Sequence, residues 1–318
     1  MAKCICQQKS DNSSLPVSYP TLQDGGDPVK LFQEHGYFVV RQLLTSEEVE
    51  SIKSEISAIV AKWYTQWLET GMDGNDWETA ANREPAWKEG RWQPASDKPA
   101  DIELGFRRLY RMTLESQLFD RIAKHEKIVS TVSKLIGNDI KLLQSMALLK
   151  PPGASEKMWH QDNGYFRLNP SRIMGVWIAL DPANCANGCM HILPQPYTED
   201  GQFYKHAANV DFHIEYGMVD RPNPSDVVPI ILNPGDALMF HSHLAHYTPP
   251  NNSETRRRSV QFHYASSECQ RIKCPKEEGG ADHGMYFDCD PECQEQKYYY
   301  YKKGETLISG RDFGEGYV

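Results

Sequence analysis

The chain has 318 residues, with 43 acidic against 34 basic side chains and a formal net charge of −9. This length allows one large domain with extensions or two small domains, while the acidic balance and the lack of a Lys/Arg-rich run exclude a typical nucleic-acid-binding protein. No apolar stretch approaches the roughly 20 residues that span a bilayer, and the polar N terminus does not read as a secretory signal. We expect a soluble cytoplasmic protein, a monomer or homodimer.

The N-terminal part reads as helical. Residues 1–28 are polar and predict a flexible arm; a short helix near Leu31 and a strand over 36–40 follow. The segment Thr45-Ser-Glu-Glu48 has the capping-box pattern and predicts an amphipathic helix that runs to about Trp67. Residues 70–104 have no periodicity, which predicts a long irregular excursion. Another helix is predicted over residues 118–136.

From residue 139 the pattern changes to short apolar or alternating segments, separated by Pro, Gly and Asn. They predict strands over residues 140–149, 157–162, 173–181, 189–193, 227–232, 237–242 and 257–264. This arrangement predicts a mainly β fold with flanking helices, of the barrel or jelly-roll type, with the helices packed outside. We expect a single domain over residues 29–268, with a helical part (29–138) and a jelly-roll core (139–268), and then a C-terminal extension (269–318).

A possible metal site lies in two of these segments. His160 and Asp162 are two positions apart in a predicted strand, so both side chains point to one side. A His from a later strand would complete a set of two His and one carboxylate, which leaves one face of an octahedral metal open, as non-haem Fe(II) oxygenases require. His241, His243 and His246 compete for this third position. The alternative for the first pair is an ordinary buried hydrogen bond without a metal.

The surrounding motifs form a wider pattern. They are the segments 159–166 (Trp-His-Gln-Asp-Asn-Gly-Tyr-Phe), 175–181, 187–194, 234–241 and 246–251, followed by 257–266. In order and spacing the chain resembles, from about residue 31 to 267, the phytanoyl-CoA dioxygenase family of Fe(II)/2-oxoglutarate oxygenases. The resemblance implies a double-stranded β-helix, a cupin-like jelly roll. It also implies a catalytic Fe(II) bound by His160, Asp162 and His246.

The resemblance also implies a site for 2-oxoglutarate, which is decarboxylated to succinate while O₂ oxidises a C–H bond of the substrate. The distal carboxylate of 2-oxoglutarate needs a bidentate cation, for which a guanidinium is suited. Three arginines stand together here, and the resemblance, through the family's spacing between its metal histidine and its arginine, implies Arg257; we expect its neighbours Arg256 and Arg258 to be solvated. Three further residues contact the co-substrate by resemblance, with plain packing as the alternative for the last two: Thr248, Trp177 and Gln144.

Less of the sequence bears on the substrate. Related halogenases replace the carboxylate at the position of Asp162, so its presence favours hydroxylation, desaturation or oxidative cyclisation. The substrate is expected to be an amino acid derivative, a secondary metabolite or an acyl compound, bound through a carboxylate or phosphate. The candidate substrate-binding residues are Arg107, Arg108, Arg111, Trp159 and Tyr165, with a plain charged surface as the alternative for the arginines.

The C-terminal extension contains four cysteines whose spacing fits no common zinc motif. Cys269, Cys274, Cys289 and Cys293 could bind a structural Zn²⁺, form disulfides or stay free thiols. A second reading of the whole chain is a non-catalytic jelly-roll protein that binds a metal or regulates a partner. The co-substrate residues Arg257 and Thr248 favour catalysis, because a protein that only binds a metal does not need them.

Overall fold

A computed structural model describes residues 18–22, 25–70, 83–85, 96, 98–166, 168–199, 201–204, 206–209, 215–271 and 306–309. The helices are α1 (Pro28–His35), α2 (Ser46–Thr70), α3 (Pro99–Glu103), α4 (Met112–Glu115), α5 (Gln117–Ala123), α6 (Glu126–Ile136) and α7 (Asn163–Phe166). The strands are β1 (Thr21–Leu22), β2 (Tyr37–Val40), β3 (Arg83–Pro85), β4 (Phe106–Tyr110), β5 (Ile140–Lys150), β6 (Lys157–His160), β7 (Leu168–Asn169), β8 (Ile173–Ala179), β9 (His191–Ile192), β10 (His206–Asn209), β11 (Glu215–Met218), β12 (Val228–Pro229), β13 (Ala237–His241), β14 (His246–Thr248), β15 (Arg257–Ser266), β16 (Gln270–Arg271) and β17 (Thr306–Ser309).

Two sheets face each other across an apolar layer. The large sheet has the strand order β1-β2-β13-β8-β15-β5-β4-β3, with β17 also paired to β5, and the small sheet has the order β12-β9-β14-β6. Trp177 and Leu238 of the large sheet share one core cluster with Ile192 of the small sheet. The architecture is the predicted jelly roll, mainly β with helices outside.

The strand β15 shows how the sequence builds both layers. Its residues alternate between the two faces of the large sheet. Val260, Phe262 and Tyr264 point outward, into the core cluster that the sheet forms with helices such as α2 and α6. Every second residue from Arg257 to His263 points instead to the space between the sheets, where several of these side chains line a cavity. Helix packing therefore uses one face of the sheet and leaves the other face for a site.

The capping box at the start of α2 is confirmed. The Thr45 backbone N–H donates to Glu48 Oε2 at 2.8 Å, and the Glu48 N–H donates to Thr45 Oγ1 at 3.2 Å. The prediction of one helix over residues 118–136 is wrong, because the chain leaves the helix at Lys124 and His125. The His125 side chain caps α6 by accepting a hydrogen bond from the Lys127 N–H.

Both chain ends differ in part from the predictions. The flexible arm is wrong for residues 18–22: Tyr19 is buried, its hydroxyl donates to Pro229 O at 2.8 Å, and β1 pairs with β2. Residues 1–17 and 23–24 of the predicted arm lie outside the described residues. The excursion over 70–104 is not wholly irregular, since β3 and α3 lie in it. In the C-terminal extension, β16 pairs with β7 and β17 pairs with β5.

None of the helices in the described ranges combines the length and the apolarity that a bilayer crossing needs.

Candidate active site

The three predicted metal ligands come from two neighbouring strands. β14 lies antiparallel to β6, with His246 directly opposite His160, and Asp162 follows two residues after His160. The Asp162 Oδ1 atom is 3.8 Å from His160 Nε2 and 3.7 Å from His246 Nε2. All three side chains are buried, and their ligand atoms lie within 4.8 Å of one another. The structure thus brings the triad together, while His241 and His243 lie outside it.

Backbone contacts fix the tautomers of both histidines. His160 Nδ1 is 2.7 Å from Met158 O, and His246 Nδ1 is 2.9 Å from Leu244 O. A carbonyl oxygen can only accept, so each Nδ1 carries the proton and donates it. Each Nε2 therefore keeps its lone pair and faces Asp162. This carbonyl-oriented imidazole is the usual arrangement of a histidine that ligates a metal.

The charge states of the triad also suit a divalent cation. Burial, together with the nearby His246 and Lys157, holds the pKa of His160 well below its ordinary value, and burial lowers the pKa of His246. Burial opposes ionisation of Asp162, but His263, His246 and His160 outweigh it, so the Asp162 pKa is lowered. Two neutral imidazoles and one carboxylate are what Fe(II) requires at neutral pH.

The fit to a metal can be judged from the distances. Ligand atoms on one face of an octahedron with bonds of roughly 2.1 Å lie about 3 Å apart. The separations of 3.7 and 3.8 Å around Asp162 Oδ1 are somewhat wider, so a modest inward shift would complete the set. The donor types fit a non-haem iron, and their role as ligands stays a prediction.

Beside the triad lies a cavity of about 310 Å³ that contains a buried arginine. Arg257 is 3% exposed, and its guanidinium lies 5.3 Å from the centre of the Trp177 ring. Burial lowers the pKa of Arg257 to about 10, so it stays charged at pH 7. Its Nε and Nη1 atoms have no hydrogen-bond partner within the part of the chain that the structure describes. A buried cation without a partner lowers the stability of the fold, so binding of an anion in this cavity would be favourable.

The other predicted co-substrate residues line the same cavity. Thr248, Trp177 and Gln144 all contribute to its wall, as do His160, Asp162 and His246. Sequence reasoning missed a further cation: Lys150 lies opposite Arg257 in the register of β5 and β15, and its ammonium donates to Thr248 Oγ1 at 3.4 Å and to Ser155 O at 2.8 Å.

Gly188 explains how Lys150 reaches this position. It has a φ of +77°, and a Cβ added there would lie 2.5 Å from Lys150 Cε. The turn at Asn187-Gly188 therefore needs glycine, both for its left-handed backbone and for the passage of the lysine stem.

Comparisons with known proteins identify the family of the chain. Residues 32–259 match the family model of phytanoyl-CoA dioxygenase (PhyH). The chain belongs to the phytanoyl-CoA dioxygenase family. A peroxisomal phytanoyl-CoA dioxygenase of Rattus norvegicus is 25% identical over an alignment of 253 residues, and the match covers 76% of this chain and 69% of the relative. Membership makes the chain a dioxygenase, an oxidoreductase.

Solved structures support the fold of this dioxygenase. The epimerase SnoN, in complex with Fe³⁺, alpha ketoglutarate and nogalamycin RO, is similar with a TM-score of 0.54 and 19% identity over 79% of this chain and 89% of SnoN. EctD from S. alaskensis with bound Fe is similar with a TM-score of 0.55 and 16% identity over 82% of this chain and 83% of EctD. At such identities the likeness shows the jelly-roll fold.

Only some of the residues predicted to bind the substrate of this dioxygenase line the cavity. Arg107, Arg108 and Tyr165 line the cavity. Arg111 and Trp159 are not among its lining residues: Trp159 stacks on Tyr247 with ring centres 4.6 Å apart, in a small apolar cluster with Met218 and Ala245. The structure therefore places Trp159 and Arg111 away from the cavity wall, and all five substrate contacts stay predictions.

One neighbour of Arg257 also differs from its prediction. Arg258 is not solvated, because its side chain forms two hydrogen bonds of 2.9 Å with the carboxylate of Asp181. Arg256 is 3.4 Å from Glu103 and keeps about a quarter of its side chain exposed.

The cysteines give no support for a structural zinc. Cys269 is a buried free thiol that donates to Arg172 O, and burial raises its pKa to about 11. Cys274, Cys289 and Cys293 lie outside the described residues. A second possible set, Cys185, Cys189 and His191, has ligand atoms close together, but Cys185 is disulfide-bonded and so has no thiolate to offer.

Proposed function

We propose that this dioxygenase couples the decarboxylation of 2-oxoglutarate to succinate with the oxidation of a C–H bond in a small organic substrate. One observation carries the proposal: Arg257, a buried guanidinium whose Nε and Nη1 have no hydrogen-bond partner among the described residues, lines the same cavity as the His/His/Asp triad. Losing the partner of a buried charge costs several kcal/mol, about 3–5. A carboxylate that enters with the co-substrate would offset that cost.

Different residues of the cavity would bind the metal and the co-substrate. His160 Nε2, His246 Nε2 and Asp162 Oδ1 would hold Fe(II), which supplies the activation of O₂ and the redox chemistry when it is bound. Arg257 would bind the distal carboxylate through paired N–H groups, with Thr248 Oγ1 as an added contact. Trp177, fully buried beside the guanidinium, and Gln144 would close the wall and keep water from the carboxylate.

We also propose that the substrate carries a carboxylate or phosphate next to an apolar part. Arg107, Arg108 and Lys157 line the cavity together with Tyr165, whose hydroxyl accepts a hydrogen bond from Lys157 Nζ at 3.1 Å. The apolar wall consists of residues such as Met146, Leu148 and Met190. An amino acid derivative, an acidic secondary metabolite or an acyl compound has this chemistry. A cytoplasmic location and a monomeric or homodimeric state stay predictions from composition.

The first experiment measures succinate release from 2-oxoglutarate under O₂ with added Fe(II) and ascorbate. We expect slow release without substrate, loss of release after chelation of the metal, and no release by Asp162→Ala. A thermal-shift assay should detect 2-oxoglutarate binding by the wild type. If the protein neither releases succinate nor binds 2-oxoglutarate, the proposal fails and the alternative, a non-catalytic metal-binding jelly roll, replaces it.

The second experiment identifies the substrate. A metabolite extract is incubated with the active enzyme and screened for compounds that gain one oxygen or lose two hydrogens. The former mass change indicates hydroxylation, and the latter indicates desaturation or cyclisation. Once a substrate is known, Arg108→Gln should raise its KM, while Arg111→Gln, outside the cavity, should leave its KM unchanged.

A further inference from the structure

A third imidazole lies against the triad, and neither the sequence patterns nor the proposed function uses it. His263 belongs to β15, points to the same side as Arg257 and is 1% exposed. Its Nε2 atom is 3.0 Å from Asp162 Oδ2. The ring packs in a T-shaped arrangement against Phe166, with ring centres 4.9 Å apart. Asp162 and Phe166 thus hold the imidazole in place beside the carboxylate.

The tautomer of His263 follows from its partners. A carboxylate that ligates a metal is ionised and only accepts hydrogen bonds. The Nε2 atom of His263 therefore carries the proton and donates it to Asp162 Oδ2. The side-chain amide of Gln261 also lies 2.8 Å from this Nε2. An N–H cannot accept from an amide NH₂, so the Gln261 amide is turned with its oxygen toward His263, an exchange of two atoms that are alike in shape.

The two oxygens of Asp162 thereby have different surroundings. Oδ2 is engaged by His263, while Oδ1 faces His160 Nε2 and His246 Nε2. An octahedral ion with three protein donor atoms has three positions left, which is the number that 2-oxoglutarate, with two donor atoms, and O₂ need together. If Asp162 bound through both oxygens, one of these positions would be lost.

We propose that His263 is a positioning residue that restricts Asp162 to one oxygen toward the metal and so keeps a coordination position open. The inference rests on the proposed function for the identity of the metal and the co-substrate. It assigns to His263 a role that acts through Asp162 and not through contact with the substrate. Outer partners of metal ligands change metal affinity by about 10- to 100-fold when they are removed.

The test compares metal binding by three variants under anaerobic conditions. His263→Leu removes the donor, His263→Gln keeps an N–H donor, and His241→Leu is the matched control, because His241 is equally buried but contacts Phe32 and Tyr197 and not Asp162. Calorimetry with Fe(II) should show an affinity about 10- to 100-fold lower for His263→Leu. His263→Gln should recover most of it, and His241→Leu should match the wild type.

A second readout concerns the open position itself. Co(II) replaces Fe(II) as a probe whose visible absorption depends on its coordination number, and 2-oxoglutarate is added to each Co(II)-loaded variant. We expect the spectral change caused by 2-oxoglutarate to be weaker for His263→Leu. Binding of 2-oxoglutarate to the metal-free protein, followed by thermal shift, should be unchanged, since it depends on Arg257. A variant that was merely less stable would not combine a weaker spectral change with unchanged binding of 2-oxoglutarate to the metal-free protein.

The wild type supplies a check that does not depend on the folding of a variant. In protein with ¹⁵N-labelled histidine, loaded with Zn(II) and 2-oxoglutarate, NMR should find the proton of His263 on Nε2. A proton on Nδ1 alone would overturn the proposal. So would equal Fe(II) affinities of His263→Leu and His241→Leu, or no recovery in His263→Gln. If the wild type binds metal with this dependence on His263 but binds no 2-oxoglutarate, the proposed function fails and the role of His263 at Asp162 stands.

Discussion

Two adjacent arginines on opposite faces of β15 show how the cavity differs from the rest of the molecule. On the outer side, Arg258 donates through its backbone N–H and Nε to Asp181 Oδ2 and through Nη2 to Oδ1, each at 2.9 Å. On the inner side, Arg257 is more deeply buried, yet its Nε and Nη1 have no partner among the described residues. A guanidinium that has its partners stabilises the fold, whereas a buried one without them marks the place of a ligand.

The His-Gln-Asp segment repeats this difference within three residues. Gln161, between two candidate ligands, is fully buried and points away from the cavity. Its amide donates to Gln202 O and His243 O at 2.7 Å and accepts from the Tyr204 N–H at 2.8 Å. These bonds join β6 to two loops. The two faces of one segment thus separate a structural network from the site that it supports.

The strongest way to test the comparison is to remove Arg257. Arg257→Met deletes the proposed carboxylate contact, two charge-assisted hydrogen bonds of about 1.5–3 kcal/mol each. We expect the KM for 2-oxoglutarate to rise about 100-fold or more. The same change removes a buried charge that has no hydrogen-bond partner on Nε and Nη1 among the residues the structure describes, so the unfolding free energy of the ligand-free protein, measured in urea, should stay equal or increase. A clear loss of ligand-free stability would show that Arg257 already has its partners.

The opposite pattern is expected for Gln161. Gln161→Leu leaves Gln202 O and the Tyr204 N–H without their partner, and each unpaired buried group costs about 1–3 kcal/mol. Urea unfolding should show a loss of roughly 2–4 kcal/mol. Gln195→Leu is the matched control, because Gln195 also donates to His243 O at 2.7 Å and that oxygen keeps one donor in either variant. The control should lose less, and equal losses would contradict the network.

Much of this arrangement was predictable from local patterns. The period of two along β15 places Arg257 inside and Val260 outside, and the His-x-Asp spacing places two ligands on one side. The same alternation puts His263 on the inner face, so the signal was present in the sequence. What it lacked was the partner, because Asp162 lies 101 residues earlier in the chain. Lys150 was missed for the same reason, since only strand pairing puts it opposite Arg257.

The errors have a similar origin. Alternation predicts to which face of β15 the Arg258 side chain points, but not what covers that face. There Asp181 forms an ion pair with Arg258, which was expected to be solvated. The helix break at His125 depends on a side-chain cap that competes with a continuous apolar period. Local chemistry predicts the type and direction of an element, while contacts between distant segments decide its partners.

A third prediction separates the two arginines directly. Arg258→Met leaves the Asp181 carboxylate without its main partner, although Lys53 remains 3.5 Å away. Breaking a buried pair costs about 3–5 kcal/mol, and the two side chains here keep part of their solvent contact, so we expect a loss of about 2 kcal/mol in urea unfolding. The KM for 2-oxoglutarate should not change. A raised KM would mean that the two faces of β15 are coupled.

The smallest expected effect is the pH dependence of the same ion pair. Burial opposes ionisation of Asp181, but the hydrogen bonds and charge of Arg258 outweigh it and lower the Asp181 pKa below its ordinary value of 3.8. A depressed pKa adds stability that is complete above the unfolded-state pKa and is lost as the pH falls through the folded-state pKa.

The stability difference between the wild type and Asp181→Asn should therefore be constant from pH 7 to about 5 and should shrink as the pH falls below 3.8. It stays smaller than the effect of Arg258→Met, because a protonated carboxyl group or an amide still accepts a hydrogen bond from the Arg258 side chain. Urea unfolding of both proteins at several pH values measures it. A difference that does not change with pH would mean that neutral hydrogen bonds, and not the charge of Asp181, join β15 to its neighbours on the outer face.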